Sequence, residues 1–248
     1  MKIAVFGATG LIGSNVVELL AAEGHQVVAA SRTSGVDVLT GEGIDAALAD
    51  AHMLVDVLNS PSFEDGPVLE FFATSTRNLV TAARVAGVGH YVALWIVGAT
   101  RLPDSGYLRA KVAQETLIEA SGVPYTIVRA TQFHEFADGI IATLTDGDVV
   151  RVPRARIQPI AAADVAAHLA RVAVGTPLGV VELGGPDKIT FEELARAVLS
   201  HRGEQRTVEV DPDATYFGTR VDDAGLVTGE GAVIAATRFA DWQAETAT

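Results

Sequence analysis

The stretch KIAVFGATGLIG, Lys2 to Gly13, decides the architecture. Its apolar run up to Phe6 reads as a buried strand that breaks at Gly7 and passes into a helical pattern from Leu11. Gly7, Gly10 and Gly13 stand at G-x-x-G-x-x-G spacing. Gly7 permits a sharp turn off the strand. Gly10 lets backbone N–H groups approach a pyrophosphate, and Gly13 lets the helix pack close to the sheet. The positive end of the helix then faces the diphosphate. Thr9 adds a hydroxyl, and Leu11 and Ile12 offer backbone amides. The bland alternative is a glycine-rich turn with no ligand. The order strand, glycines, helix at the first βα turn argues for a dinucleotide site.

Outward from that turn, apolar strand-like runs alternate with helical patterns. The strands are expected at 2–7, 26–31, 36–39 (VDVL), 53–59, 91–97 and 125–130, and the helices at 11–23, 44–50, 67–86 and 107–121. Near-continuous apolar strands between helices imply a doubly wound parallel sheet in an α/β, Rossmann-like fold, with strand order 3-2-1-4-5-6. Only Thr33 to Gly35 separate the second and third strands, so one crossover helix is reduced to a loop. Beyond residue 131 the pattern loosens. Short strands are expected in DGDVV and IQPI, and a helix near Asp164. Another helix follows Thr190, which with Glu193 spells a capping box. The tail from Arg206 has weak periodicity. No linker or repeat divides the chain. We therefore expect a single domain over 1–248, with residues 132–248 supplying most of a small C-terminal substrate-side lobe.

Composition narrows the function. The 248 residues carry a formal charge of −13, which disfavours nucleic acid and anionic membrane surfaces. The one basic stretch, RVPRAR (151–156), reads as a solvated loop. No apolar run approaches the eighteen or so residues of a membrane span, and no secretory signal is visible. There are no cysteines, so disulfides and thiolate metal sites are excluded. The six histidines show no metal-ligand spacing, and no metal is expected. The expectation is a cytoplasmic protein.

The end of the second strand bears on the choice of coenzyme. An acid there accepts from a ribose 2′-hydroxyl, but this chain has ASRTSG, with Arg32 beside Ser31, Thr33 and Ser34. A guanidinium flanked by hydroxyls suits a 2′-phosphate, so NADP(H) is preferred. Asn59, with the backbone of Leu58, closes the fourth strand where a ribose would lie; Asn59 equally suits an Asx-turn. Later, YLRAK opens a helix with Tyr107 and Lys111 four residues apart on one face. A phenol near pKa 10 donates poorly at neutral pH unless a cation stabilises its anion. Lys111 would be that cation.

GATGLIG, the SR after the second strand and YLRAK together resemble the atypical, NmrA-like NAD(P)-binding branch of the short-chain dehydrogenase/reductase superfamily. The resemblance covers most of the chain, including YTIVRATQFHEF and the segments IQPIAAADVAAHLARVAV and LGGPDKITFEELARAVL. It implies an NADP(H)-dependent oxidoreductase that reduces a carbonyl or related small molecule. Tyr107 would be its proton donor and Lys111 its anchor for the nicotinamide ribose. It also implies that Thr131 and Phe133 lie beside the nicotinamide. His134 in the same loop is a candidate for the substrate pocket, or equally a half-buried histidine with a local partner. By analogy a helix-mediated homodimer is implied. Trp95 departs from the superfamily pattern, in which a serine or threonine stands about a dozen residues before the tyrosine. It fills the substrate pocket, or reshapes it, or replaces a parental serine. Trp95→Ser is expected to raise turnover. The branch also holds non-catalytic NADP(H)-sensing regulators, which is the alternative function. A nucleotide-sugar epimerase is disfavoured because no extended sugar-binding domain follows.

Overall fold

The computed structural model describes residues 1–246. In chain order its elements are β1 (Lys2–Phe6), α1 (Leu11–Ala22), β2 (Gln26–Ala30), α2 (Ile44–Leu48), β3 (Met53–Asp56), α3 (Asp65–Ala86) and β4 (His90–Ile96). Then come α4 (Gly106–Glu119), β5 (Tyr125–Ala130), α5 (Ala137–Thr143), β6 (Thr145–Asp146), β7 (Val149–Val152), β8 (Arg156–Ile157) and α6 (Ala162–Ala173). The chain continues through β9 (Gly179–Gly184), β10 (Ile189–Thr190), α7 (Phe191–Arg202), β11 (Thr207–Val210), β12 (Val233–Ile234) and α8 (Phe239–Thr246).

The central sheet has seven strands in the order β12-β9-β5-β4-β3-β1-β2. The pairs β1–β2, β1–β3, β3–β4 and β9–β12 are all parallel, and Phe6 stands opposite both Ala30 and Asp56, with Asp56 opposite Ala93. That register brings the carboxyl ends of β1, β2, β3 and β4 to one edge, where open α/β sheets bind their ligands. The strands are apolar because both faces are covered: Ile3, Val5, Phe6, Leu54, Val55, Tyr91 and Val92 have no exposed surface. The expected doubly wound sheet is present, but it continues past β5 with β9 and β12, and one expected strand is missing. VDVL, 36–39, is not a strand. Asp37 Oδ1 accepts the backbone N–H groups of Leu39 (2.8 Å) and Thr40 (3.2 Å), and its own N–H donates to Glu42 O. This Asx-type turn offers the backbone an alternative to the ladder, so the sheet stops at β2.

Two compact units divide the chain. The first comprises Met1–Trp95, Gly106–Arg129 and Val165–Val181. Within it α3 buries Val68, Phe71, Phe72, Ser75, Leu79 and Ala83 on one stripe and stops at Gly87, whose φ is +69°. The second comprises Ile96–Ser105, Ala130–Asp164 and the chain from Glu182 onward. It contains a three-stranded sheet, β11-β7-β6, and the pair β10-β8. Its α7 opens on the expected capping box: Thr190 Oγ1 accepts from Glu193 N (3.1 Å), and Glu193 Oε2 accepts from Thr190 N (2.7 Å). Among the described residues no helix is long and apolar enough to cross a membrane.

Candidate functional site

The first βα turn is built as a cradle. Gly7 has φ +84°, and a Cβ there would meet Val57 O at 2.8 Å. A Cβ on Gly13 would sit 2.1 Å from Gly7 O, so α1 passes directly over the turn. Gly10 is different: its φ of −81° suits any residue, and its Cβ would touch only Gly7 O at 3.4 Å. Thr9, Gly10 and Leu11 are exposed, while the Ile12 side chain is buried as the turn's apolar foot. No side chain caps the first turn of α1. Helix N–H groups left uncapped beside an exposed glycine are what a diphosphate needs, so these residues fit a dinucleotide.

Beside the cradle, β2 ends at Ser31 and Arg32. A one-turn 3₁₀ helix, Arg32–Ser34, is held by Ser34 Oγ, which accepts from Ser31 N and donates to Ser31 O, both at 2.9 Å. Ser31 Oγ and Thr33 Oγ1 share a 2.8 Å bond. The Arg32 side chain is exposed. The Leu39 and Thr40 amides hold the Asp37 carboxyl below its ordinary value, and Arg32 adds to this. After β3, the Leu58 N–H donates to Asp56 Oδ1 (3.1 Å), and Asn59 Oδ1 accepts from the Ser60 N–H (3.0 Å).

Asn59 Oδ1 also accepts the hydroxyl of Tyr107 at 2.9 Å, joining the loop after β3 to the start of α4. The Tyr107 ring packs between Phe63 and Phe72, with centroids 5.3 and 5.9 Å away. Burial pushes its phenol up to about 12. Lys111, on the same helix, does not attend the phenol. Its ammonium is buried, donates to Leu94 O (3.0 Å) and to Gln114 Oε1, and lies 4.6 Å over the Phe72 ring. Burial brings Lys111 down to about 8, against the pull of Asp56 and Glu115. Gln114 Nε2 in turn donates to Asp56 Oδ2 (3.0 Å), which also accepts the Tyr91 hydroxyl (2.8 Å). The acid that interrupts the apolar β3 therefore has donors on both of its oxygens. Burial pushes its carboxyl up, and Lys111, Tyr91, the Leu58 amide and Gln114 pull it back.

Trp95, expected at the substrate, is buried inside the first unit at 2% exposure. Its indole N–H donates to the backbone carbonyl of Lys111 (2.7 Å), and its ring lies 4.8 Å from the guanidinium carbon of Arg129. Arg129 pairs with Glu115 through Nε and Nη2. Trp95 thus fastens α4 to the end of β4. In the second unit the Thr131 N–H donates to Leu183 O (3.0 Å), and its hydroxyl accepts from Gly185 N. Phe133 stacks on Phe136 at 5.4 Å. His134 is buried edge-on against Phe239 and Trp242, and burial brings it down to about 4. Sequence reasoning missed Tyr91, Gln114, Phe63 and Phe72. The available signal was Asp56, since a carboxylate in an apolar run requires buried donors.

This assembly defines a class of protein, one with a nicotinamide-dinucleotide fold. Residues 7–174 match the NAD(P)H-binding family, and the chain belongs to it. It is similar to the chloroplastic divinyl chlorophyllide a 8-vinyl-reductase of Cucumis sativus, at 28% identity over 75% of this chain and 53% of that protein. It is also similar to the mitochondrial NADH dehydrogenase [ubiquinone] 1 alpha subcomplex subunit 9 of Arabidopsis thaliana, at 26% identity over 77% of this chain and 55% of that protein. The chain thus spans about half the length of these curated relatives. Among solved structures, the NADPH-dependent quinone oxidoreductase of Escherichia coli superposes with a TM-score of 0.70, at 21% identity over 98% of this chain and 99% of that one. The UDP-N-acetylglucosamine 4-epimerase of Bacillus cereus superposes with a TM-score of 0.75, at 18% identity over 100% and 98% of the two chains. At these identities the structural likeness establishes the fold.

Proposed function

We propose that the protein is an NADP(H)-dependent reductase of a small molecule with a carbonyl or a related activated double bond. The observation that carries this reading is the Tyr107 hydroxyl. It is protonated across the physiological range, clamped between two aromatic rings, and aimed at the loop after β3, beside the strand that carries the glycine cradle. When bound, a reduced nicotinamide supplies a hydride. Tyr107 hands its proton to the substrate atom that gains negative charge; the neutral phenol carries that proton, although with no ammonium beside it and a value pushed up to about 12 it is a weaker acid than the sequence alone implied. An ammonium has three N–H donors, and Lys111 spends two on Leu94 and Gln114, leaving one for a ribose hydroxyl. The names of the vinyl-reductase relative and the quinone oxidoreductase neighbour agree with reduction of an activated double bond.

The expected outcome is NADPH oxidation with at least one member of a panel of quinones, enones, ketones and aldehydes. Tyr107→Phe should lower it by about 10²-fold or more while leaving NADPH affinity within about threefold. Coenzyme choice rests on Arg32: NADPH should bind more tightly than NADH, and Arg32→Ala should narrow the gap. Equal affinities in the unmodified protein would refute that preference. A second reading, a non-catalytic NADP(H) sensor, is favoured by Trp95, which supplies no hydroxyl and is committed to α4. Tight NADPH binding with no turnover across the panel would establish it.

A further inference from the structure

We propose that Asp56 and Gln114 are positioning residues, a buried carboxylate–amide relay that holds the Lys111 ammonium in place and in its charged form for the coenzyme. The inference rests on the reading above only in taking Lys111 as a coenzyme ligand. Asp56 and Lys111 are 1% and 3% exposed, and such charges are retained only when paired and hydrogen-bonded. Gln114 joins them, receiving an N–H from Lys111 at one end of its amide and giving one to Asp56 at the other. Its orientation is thereby set, and it passes the negative charge of β3 toward the ammonium. Tyr91 shares Oδ2 of Asp56 with Gln114 and the Leu58 amide holds Oδ1, so both carboxylate oxygens are fixed in orientation. Trp95 fastens the backbone from which Lys111 springs, and Leu94 O takes a further N–H. A flexible four-carbon side chain is thus tethered at both ends.

The charged or titratable groups facing Lys111 are Asp56 on β3, Tyr91 on β4, and Tyr107 and Glu115 on α4, with Arg129 of β5 engaged by Glu115. Tyr91 and Tyr107 are pushed above their ordinary value, while Lys111 is brought down to about 8, so loss of the ammonium charge is expected as pH rises above neutrality. A deprotonated lysine loses the third N–H that a ribose hydroxyl accepts.

The test is NADPH affinity as a function of pH, followed by coenzyme fluorescence, which needs no substrate. In the unmodified protein affinity should fall as pH rises through about 8. Asp56→Asn removes the countercharge, so the fall should move to lower pH by about one unit. Gln114→Met keeps the charge but cuts the bond between the partners, so it should move the fall in the same direction by less. A packing defect would weaken binding at every pH without moving the midpoint. Lys111→Met should weaken binding at pH 7 and abolish the fall. If it changes neither, Lys111 is no coenzyme ligand and the reductase reading loses its anchor. If it does both while Asp56→Asn and Gln114→Met keep the parental midpoint, the relay is wrong and the anchor stands. Should Asp56→Asn fail to fold, Gln114→Met decides alone. The Lys111 Cε resonance in lysine-labelled protein gives the same midpoint without coenzyme.

Discussion

Glycines 10 and 13 look alike in the motif GATGLIG but answer to different masters. A Cβ on Gly13 would meet Gly7 O at 2.1 Å and Ala8 Cα at 2.9 Å, so the protein itself forbids it. A Cβ on Gly10 meets nothing closer than 3.4 Å, at a backbone conformation any residue adopts. Gly13→Ala should therefore cost about 1–3 kcal/mol in denaturant unfolding, as overpacking does. Gly10→Ala should unfold within about 0.5 kcal/mol of the parent, the range of a surface substitution, yet bind NADPH about tenfold less tightly or worse, because the diphosphate must approach that Cα. If Gly10→Ala binds coenzyme normally, the cradle is not the diphosphate site. The spacing of the motif was legible in the sequence. Which glycine serves the fold and which the ligand was not, since the distinction lies in contacts between Gly7, Val57 and α1.

The helix α4 shows how an element takes its meaning from its neighbours. Tyr107 and Lys111 share a face as i, i+4 geometry demands, but the two groups serve different partners. The phenol goes to Asn59, and the ammonium to Leu94 and Gln114. A cation beside the phenol was the sequence expectation. Burial wins instead, because a phenolate between Phe63 and Phe72 is only partly solvated and has no ammonium hydrogen-bonded to it. Trp95 belongs to this element too, through its bond to the Lys111 carbonyl. Trp95→Ser would leave a cavity beneath α4 and remove the second hydrogen bond to the Lys111 carbonyl, at about 3–5 kcal/mol by analogy with other large-to-small aromatic changes. Denaturant unfolding of that variant checks it. A loss under about 1 kcal/mol would mean the indole is not the clamp described here. Any gain in turnover from a serine at 95 must appear against that loss.

For the molecule as a whole, the second unit carries a built-in sensitivity to acid. His134 is buried against Phe239 and Trp242, and burial brings its imidazole down to about 4, outweighing the pull of the Pro159 carbonyl and of Asp164. The folded value lies below the unfolded one near 6.5, so protonation favours the unfolded chain. The contribution is complete above pH 6.5 and is lost as pH falls toward 4. It amounts to about 2–3 kcal/mol between pH 7 and pH 4.5. His134→Phe keeps an aromatic ring against the same partners and removes the titration. Its stability should decline less over that interval than the parent's in urea unfolding at matched pH. Parallel declines would show that His134 is protonated in the folded protein.

The alternation of apolar strands with helical patterns, the glycine turn and the capping box at Thr190 are local, and one segment at a time declares them. They led to the doubly wound sheet directly. The strand expected at 36–39 failed for a local reason of another kind, because β propensity in VDVL lost to a side-chain acceptor, Asp37, that bonds its own backbone. What only the folded chain decided is who faces whom. Lys111 and Gln114 are an i, i+3 pair on α4, but Asp56 on β3 and Tyr91 on β4 lie far from them in order, and no pattern of spacing links the three elements. Their meeting depends on a strand register that sets Asp56 beside Ala93 and on burial that forces every charge to find a partner.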